Sequence, residues 1–416
     1  MRPKVLQLIG SFHQGGSERQ AVQLTRLLKA GGQHDVHLAC LDRSGVLLDE
    51  ATRMGFAEIP EYRLTSFYDR NALVQVRRFA LHLQTRGIDV IQTHDFYSNI
   101  FGMAAARLAG VRVRIAARRE TTGWRTPAQK VVERQAYRFA HAIVANAEAV
   151  RRQLLAEGVA QPKIVTVHNG IDLDRLRVSD DFNRAETLAS FGLPTAPGLR
   201  FVTLVANLHH AVKDHPTFLR AARRVRETFP AARFVIAGEG ALTGAMREMA
   251  AGLGIAGETF FIGRATRVAE LLAASDVGVL SSQAEGFANS ILEYMAAALP
   301  VVVTDVGGAR EAVNDGESGY VVPAGADEAM AARILALLND PQRARLMGER
   351  GRRIVEERFS TAAQLAATAA LYDRLLAGNA RSHRLRGASH GVPPSGGISR
   401  LRTIPPEGGT PCDPVH

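Results

Sequence analysis

Cysteine is scarce: the 416-residue chain holds two, Cys40 and Cys412. So distant a pair supplies neither a disulfide framework nor metal-ligand spacing, and a reducing cytoplasm is the expected setting. Aromatic residues make up only 6%, with one Trp, which argues against a stacking platform for single strands. No nucleic-acid partner is expected. Long apolar runs are missing as well. Val5–Ile9 follows Met1-Arg2-Pro3-Lys4 and stops at Gly10, far short of a signal-peptide core. Nothing approaches the ~18–20 apolar residues of a membrane span. The expectation is a soluble or peripheral protein.

What is present has the ordinary globular balance, 46% hydrophobic and 22% charged, and the length suits two domains of roughly 150–200 residues. Net charge is +10, and it is uneven. Residues 107–152 carry Arg107, Arg112, Arg114, Arg118, Arg119, Arg125, Lys130, Arg134, Arg138, Arg151 and Arg152. Such a field suits nucleic acid, an anionic bilayer or phosphorylated substrates, and charge alone does not choose.

Short β-rich runs alternate with helical stretches. Val5–Ile9, Val36–Cys40, Val90–Thr93, Val113–Ala116 and Ala142–Ala145 read as strands, with helices at Ser17–Leu28, Leu73–Thr85, Ile100–Ala109 and Ala128–Ala140. A second series gives strands Phe201–Val205, Phe234–Ala237, Thr259–Ile262, Val277–Leu280 and Val301–Thr304. Its helices fall at Pro216–Thr228, Leu242–Gly252, Val268–Ala274 and Asn289–Ala298. The alternation implies α/β domains with doubly wound parallel sheets. A Gly/Pro/Asp-punctuated break near 175–200 separates domains 1–175 and 176–355. A closing helix is expected within 356–377, around Thr361–Leu376. Residues 378–416 read as a disordered basic tail whose arginines are a solvated run.

Ligands of parallel sheets bind beyond the strands' carboxyl ends, so the loops there matter most. After the first strand come Gly15 and Gly16, whose amides can approach an anion at a helix end; the same pair also suits a plain strand-to-helix turn. His94 follows Val90–Thr93 and is a candidate donor or general acid facing a cleft, or a structural histidine. Lys213, following Phe201–Val205, can neutralise phosphate as a point cation, or can pair with Asp214 at the surface. Gly238-Glu239-Gly240 misses the dinucleotide fingerprint and reads as a turn.

The sharpest signal is Glu285-Gly286-Phe287-Ala288-Asn289-Ser290-Ile291-Leu292-Glu293. A helix starting near Asn289 leaves the amides around Phe287–Ser290 free for a diphosphate, with Glu285 and Glu293 available to accept sugar and ribose hydroxyls. Gly307-Gly308 on the next loop can widen that anion site.

This run, continuing through Pro300-Val301-Val302 to Asp305-Val306-Gly307-Gly308, resembles the retaining glycosyltransferases of family four, the glycosyl transferases group 1, which have the GT-B fold. Glu285 and Glu293 match the family's E-x7-E motif. Val205-Ala206-Asn207-Leu208 with Val212-Lys213-Asp214-His215 resembles its phosphate-lysine segment, Gly15-Gly16-Ser17-Glu18-Arg19 its first glycine loop, and Thr93-His94-Asp95-Phe96-Tyr97 its cleft-histidine segment. His168-Asn169-Gly170-Ile171-Asp172 resembles its interdomain signature. The resemblance covers roughly residues 4–376.

It implies two Rossmann-like domains facing a cleft, and a hexosyltransferase acting without cofactor or metal on a nucleotide-diphosphate-sugar. In that reading Lys213 stabilises the departing diphosphate, Glu293 binds donor ribose, and Glu285 and His94 contact the donor sugar. Gly15, Gly16, Phe287, Ala288, Asn289 and Ser290 hold phosphates or sugar hydroxyls. Asn207 and His209 flank the lysine, and backbone near Gly263 meets the base. The family usually places an arginine beside the lysine; this chain has Asn207, His209 and His210, so either the diphosphate site lacks one fixed charge or His209 substitutes when protonated. The acceptor is expected to be a sugar or lipid-linked glycan in polysaccharide, lipopolysaccharide or glycolipid synthesis. The stripe Lys130, Arg134 and Arg138 suits an anionic membrane surface, placing the enzyme in the cytoplasm or peripherally at the inner membrane face. Rival readings are a GT-B nucleotide-sugar epimerase and a non-catalytic nucleotide-sugar-binding subunit.

Overall fold

The computed structural model describes residues 2–388 except 14, 57, 68 and 122–124, with side chains as far as residue 378. Two six-stranded parallel sheets carry the fold. The first contains β1 (Lys4–Ile9), β2 (Asp35–Cys40), β3 (Val90–Thr93), β4 (Val113–Arg118), β5 (Ala142–Ala145) and β6 (Ile164–Thr166), in the order β2-β1-β3-β4-β5-β6. The second contains β7 (Arg200–Val205), β8 (Ala232–Ala237), β9 (Thr259–Gly263), β10 (Val277–Leu280), β11 (Val301–Thr304) and β12 (Gly319–Val322), in the order β12-β11-β10-β7-β8-β9. Central strands such as β3, β10 and β11 are buried at every position. That is why they read as continuous apolar runs: helices cover both faces of a parallel sheet.

Each sheet reverses its winding once. In the first, the chain runs outward to β2 and then returns past β1 to β3; in the second, it runs from β7 to β9 and returns beside β7 as β10. Such switch points open a crevice beyond the strand ends. The loops that flank them follow β1, β3, β7 and β10, the loops on which the sequence placed Gly15, His94, Lys213 and Glu285.

Most elements lie within a few residues of expectation. The helix expected at Ile100–Ala109 begins earlier, as Phe96–Ala109. Asp95 accepts from the Ser98 amide at 2.9 Å, and the Ser98 hydroxyl accepts from the Asp95 amide at 3.0 Å, a reciprocal cap that starts the helix. Strands β6 and β12 and the helices Glu148–Ala156, Asp327–Asn339 and Pro341–Arg358 were not anticipated. The last has a readable start: Pro341 opens it and the Asp340 carboxylate accepts from the Arg343 amide. The closing helix runs as Thr361–Ala388, longer than expected, and residues 389–416 of the expected tail lie outside the described residues.

One apolar cluster spans the two sheets, beside others confined to each half. Ile143 and Ala147 of the first half pack in the same cluster as Phe287, Ala288 and Leu292 of the second. The Phe287 ring lies 5.3 Å from His168 and 5.2 Å from Phe359. Backbone pairing adds to this, the Ile171 amide donating to the Phe359 carbonyl and the Thr361 amide to the Ile171 carbonyl. Further along the closing helix, Tyr372 is buried against β1 and β3; its hydroxyl accepts from Gln7 and donates to Gln92.

Candidate active site

A cavity of about 790 Å³ opens between the two sheets, a size that suits a nucleotide-sugar rather than a single sugar. At the second switch point Lys213 Nζ donates to Glu285 Oε1 at 2.5 Å. The same oxygen accepts from Ser282 Oγ at 2.7 Å. The chain after β7 therefore supplies the cation and the chain after β10 its anion. The alternative pairing of Lys213 with Asp214 does not occur. Asp214 is 6% exposed and caps helix His215–Thr228 through the Thr217 amide and hydroxyl. It does so with φ at 45°, a left-handed conformation uncommon outside glycine and more readily adopted by Asp and Asn.

Two helix ends meet the same cavity. Gly16–Ala30 and Asn289–Ala296 both start without a side-chain cap. Asp95, Thr126, Asp214 and Asp340 do cap other helices. Uncapped first-turn amides at a positive helix end are an anion site. Glu18 lies over Gly15, where an added Cβ would sit 2.0 Å from its Oε2. Burial raises the Glu18 carboxyl above its ordinary value. Glu293, one turn into the second helix, is also raised by burial, while Arg19 reaches it at 3.8 Å and works the other way.

The loop 285–287 is held from behind. The Gly308 amide donates to the Gly286 carbonyl at 2.7 Å, and a Cβ on Gly307 would meet the Glu285 carbonyl at 2.4 Å. Gly307-Gly308 thus braces the loop: the Gly308 amide is taken up there, and neither glycine lines the cavity, so the pair does not widen the anion site as expected. From the first half, Thr121 Oγ1 donates to the Glu285 carbonyl at 2.7 Å, and Asn169 Nδ2 donates to Phe287 O and Asn289 Oδ1.

His94 does not face the cavity. It is 1% exposed, its Nε2 pairs with Gln7 Oε1 at 2.7 Å, and its Nδ1 lies 3.5 Å from Arg119. Burial, then the adjacent guanidinium, holds its pKa well below the usual histidine range. Arg119, immediately after β4, lines the cavity in front of it.

A family model described as Glycosyl transferases group 1 matches residues 189–354, and one described as Glycosyltransferase Family 4 matches residues 14–175. A D-inositol 3-phosphate glycosyltransferase of Streptomyces scabiei is 30% identical over 72% of this chain and 70% of its own length. The chain belongs to glycosyltransferase family four. It is a glycosyltransferase. The glycosyltransferase EpsD of Bacillus subtilis is 31% identical over 52% of this chain, which spans 57% of that relative. Among solved structures, Anabaena HepE in complex with UDP superposes with a TM-score of 0.78 at 19% identity, covering 89% of this chain and all of that one. A Thermosynechococcus elongatus sucrose-phosphate synthase gives 0.74 at 19% identity over 91% of this chain and 100% of its own. These likenesses give the fold, GT-B.

In this glycosyltransferase the cavity gathers Gly15, Gly16, Asn207, His209, Lys213, Glu285, Phe287, Ala288, Asn289, Ser290 and Glu293. Two of the expected site residues stand outside it. His94 is behind Arg119, and Gly263 has its carbonyl taken by the Gly238 amide at 2.8 Å, leaving Arg264 and Ala265 at the rim. The chain also contains one Asp-x-Asp spacing, Asp172 and Asp174. Asp172 is held by Arg26 at 2.7 Å and Asp174 lies beside Arg177, and neither lines the cavity. Arg19, Arg119, Thr121 and Asn169 are cavity residues to which the sequence reading assigned no role. Their signal, a polar residue at a strand end, is too common to single them out.

Proposed function

We propose that this glycosyltransferase transfers a sugar from a nucleoside-diphosphate-sugar to a hydroxyl acceptor, with retention of anomeric configuration and no need for a metal. The observation that carries the reading is the Lys213–Glu285 pair at the switch point, flanked by two uncapped helix ends. Lys213 stabilises the diphosphate as it leaves with the bonding electrons, and the helix-end amides near Gly16 and Phe287–Ser290 hold its oxygens. Glu293 accepts ribose hydroxyls, Glu285 accepts from the transferred sugar, and Asn207 and His209 border the phosphates. His94 acts by positioning Arg119 rather than by touching sugar. Residues 1–175 form the acceptor side, 176–355 the donor side, and the segment 356–377 closes back on the first.

HepE in complex with UDP supports a uridine donor. The Streptomyces relative, named for inositol 3-phosphate, supports a hydroxyl acceptor, and we assign the reaction to polysaccharide, lipopolysaccharide or glycolipid synthesis. No described helix is long and apolar enough to cross a membrane. Lys130, Arg134 and Arg138 are exposed beside Val131 at 59% and Phe139 at 40% exposure. We place the enzyme in the cytoplasm, docking on the anionic inner membrane face through this helix. Co-sedimentation with anionic vesicles, lost on charge reversal of the three basic residues, tests the docking.

The donor is tested by thermal shift with UDP-, GDP- and ADP-sugars, followed by NMR of the anomeric proton in the product. A stabilising donor and a retained product are expected. An altered donor sugar without acceptor would mean an epimerase, and binding without nucleotide release would mean a non-catalytic subunit.

A further inference from the structure

Arg119 differs from the other cations of the cavity interior. Lys213 faces Glu285 and Arg19 faces Glu293. Arg119 forms no ion pair among the described residues: its Nη1 donates to Asn169 Oδ1 at 2.8 Å, its Nη2 lies 3.5 Å from His94 Nδ1, and its buried Nε has no partner. Both contacts are neutral, because burial keeps His94 uncharged. Arg264 at the opposite rim is exposed to water, so its charge is already solvated. A largely enclosed guanidinium whose direct contacts are both neutral, with the Glu18 carboxylate acting on it only through space, has its charge incompletely met. Burial pulls its pKa down to about 10, with Glu18 working the other way, and it stays charged at neutral pH.

The position is well braced. The Arg119 carbonyl accepts from Asn146 Nδ2, and a Cβ on Gly286 would lie 1.9 Å from that carbonyl. Asn169, which holds the guanidinium, is itself fixed by Phe287 and Asn289. The side chain is thus held in place with donors left over, and a planar fork matches carboxylate or phosphate in two-point contact. The proposed diphosphate contacts, Lys213 and the two helix ends, do not include it, and it issues from the sheet opposite Lys213.

We propose that Arg119 is a specificity residue that binds an anionic group, carboxylate or phosphate, carried by the acceptor or by the transferred sugar and separate from the donor diphosphate. The inference rests on the transfer reading above and deepens it by naming a substrate class.

The test is isothermal titration of the full chain with glucose, glucose 6-phosphate and glucuronate, each with and without UDP. Wild type is expected to bind the two acidic sugars about 10- to 100-fold tighter than glucose, the range of one charge-assisted contact. Arg119→Gln should erase that preference while changing UDP affinity less than threefold, and Arg119→Lys should restore part of it. A thermal melt confirms that each variant is folded, and the Lys variant keeps the test decisive if Gln is not. UDP-glucuronate compared with UDP-glucose separates the sources: a preference there places the anion on the transferred sugar. Equal binding of acidic and neutral sugars overturns the proposal. So does an equal loss of UDP affinity in Arg119→Gln, which would assign the residue to the diphosphate. Failure of UDP to bind wild type would instead overturn the donor reading, and the acid preference is still read from the nucleotide-free titrations.

Discussion

Replacing Lys213 by Met isolates the electrostatic part of the proposed mechanism. The substitution keeps most of the side-chain volume and removes one charge, but it also strands Glu285. That carboxylate is 15% exposed, pairs with the lysine at 2.5 Å, and among the described residues would keep the Ser282 hydroxyl as its hydrogen-bond donor. Two losses are therefore expected. The rate falls about 10²- to 10³-fold, the usual effect of removing one preorganised group that meets developing charge. Donor affinity falls as well, because an unpaired carboxylate now repels the diphosphate. Breaking a fully buried pair costs about 3–5 kcal/mol, and solvent contact at both partners screens this to roughly 1–2 kcal/mol, or about 5- to 30-fold in Kd. The double variant Lys213→Met with Glu285→Gln separates the losses: it should recover donor affinity and leave the rate low. Calorimetry with the donor and single-turnover nucleotide release read the two quantities. If the double variant binds donor no better than Lys213→Met, the carboxylate is not opposing the diphosphate. If Lys213→Met keeps its rate within tenfold, the lysine does not meet the leaving group.

Three further outcomes follow from the same geometry. Glu293 has its carboxyl raised by burial, so ionising it costs stability above its folded pKa and nothing below its unfolded one. Glu293→Gln should therefore raise the melting temperature at pH 7.5, with the gap closing as pH falls through the carboxylate range, and should weaken nucleotide binding about tenfold. Burial tends to raise Glu311, but hydrogen bonds from His168 at 2.9 Å and from the Glu148 and Ala149 amides outweigh it and hold the carboxyl below its usual range. Its stability contribution is thus present above the unfolded pKa and lost as pH falls through the folded one. Denaturant titration of Glu311→Gln should show a deficit of about 1–2 kcal/mol at pH 7 that disappears in acid. Gly286→Ala should push the 285–287 loop off the Arg119 carbonyl, lowering activity at least tenfold while far-UV dichroism stays native.

Much of the fold was legible because parallel strands declare themselves by unbroken apolar runs. Val90–Thr93, Ala142–Ala145, Val277–Leu280 and Val301–Thr304 were read at their observed bounds. What escaped was short or marginal. Ile164–Thr166 is three residues long, too short to stand out from a loop; Gly319–Val322, at a sheet edge, opens on a glycine after the turn residues Asn314-Asp315-Gly316 and stops at Pro323, so it reads as part of a turn region. The helix Phe96–Ala109 begins four residues before its apolar pattern, which starts at Ile100, because its origin is the Asp95–Ser98 cap. Capping residues carried the information there, and periodicity did not.

The site divides along a similar line. Features that depend on local backbone, such as glycines before a helix or a carboxylate one turn inside it, were visible, since spacing along the chain equals spacing in space. Features that depend on contact between distant segments were not. Nothing near Lys213 says that its partner is Glu285 rather than Asp214; that choice follows from β7 and β10 becoming neighbours in the sheet. His94 fails for the matching reason. A histidine at a strand end is a fair candidate until the next strand places an arginine in front of it, and β4 does so with Arg119. The same substitution of one cavity face for another moves the charge nearest the first sheet from a titratable ring to a fixed guanidinium. A cleft built that way keeps its positive charge across the physiological range, which is what recognition of an acidic substrate requires.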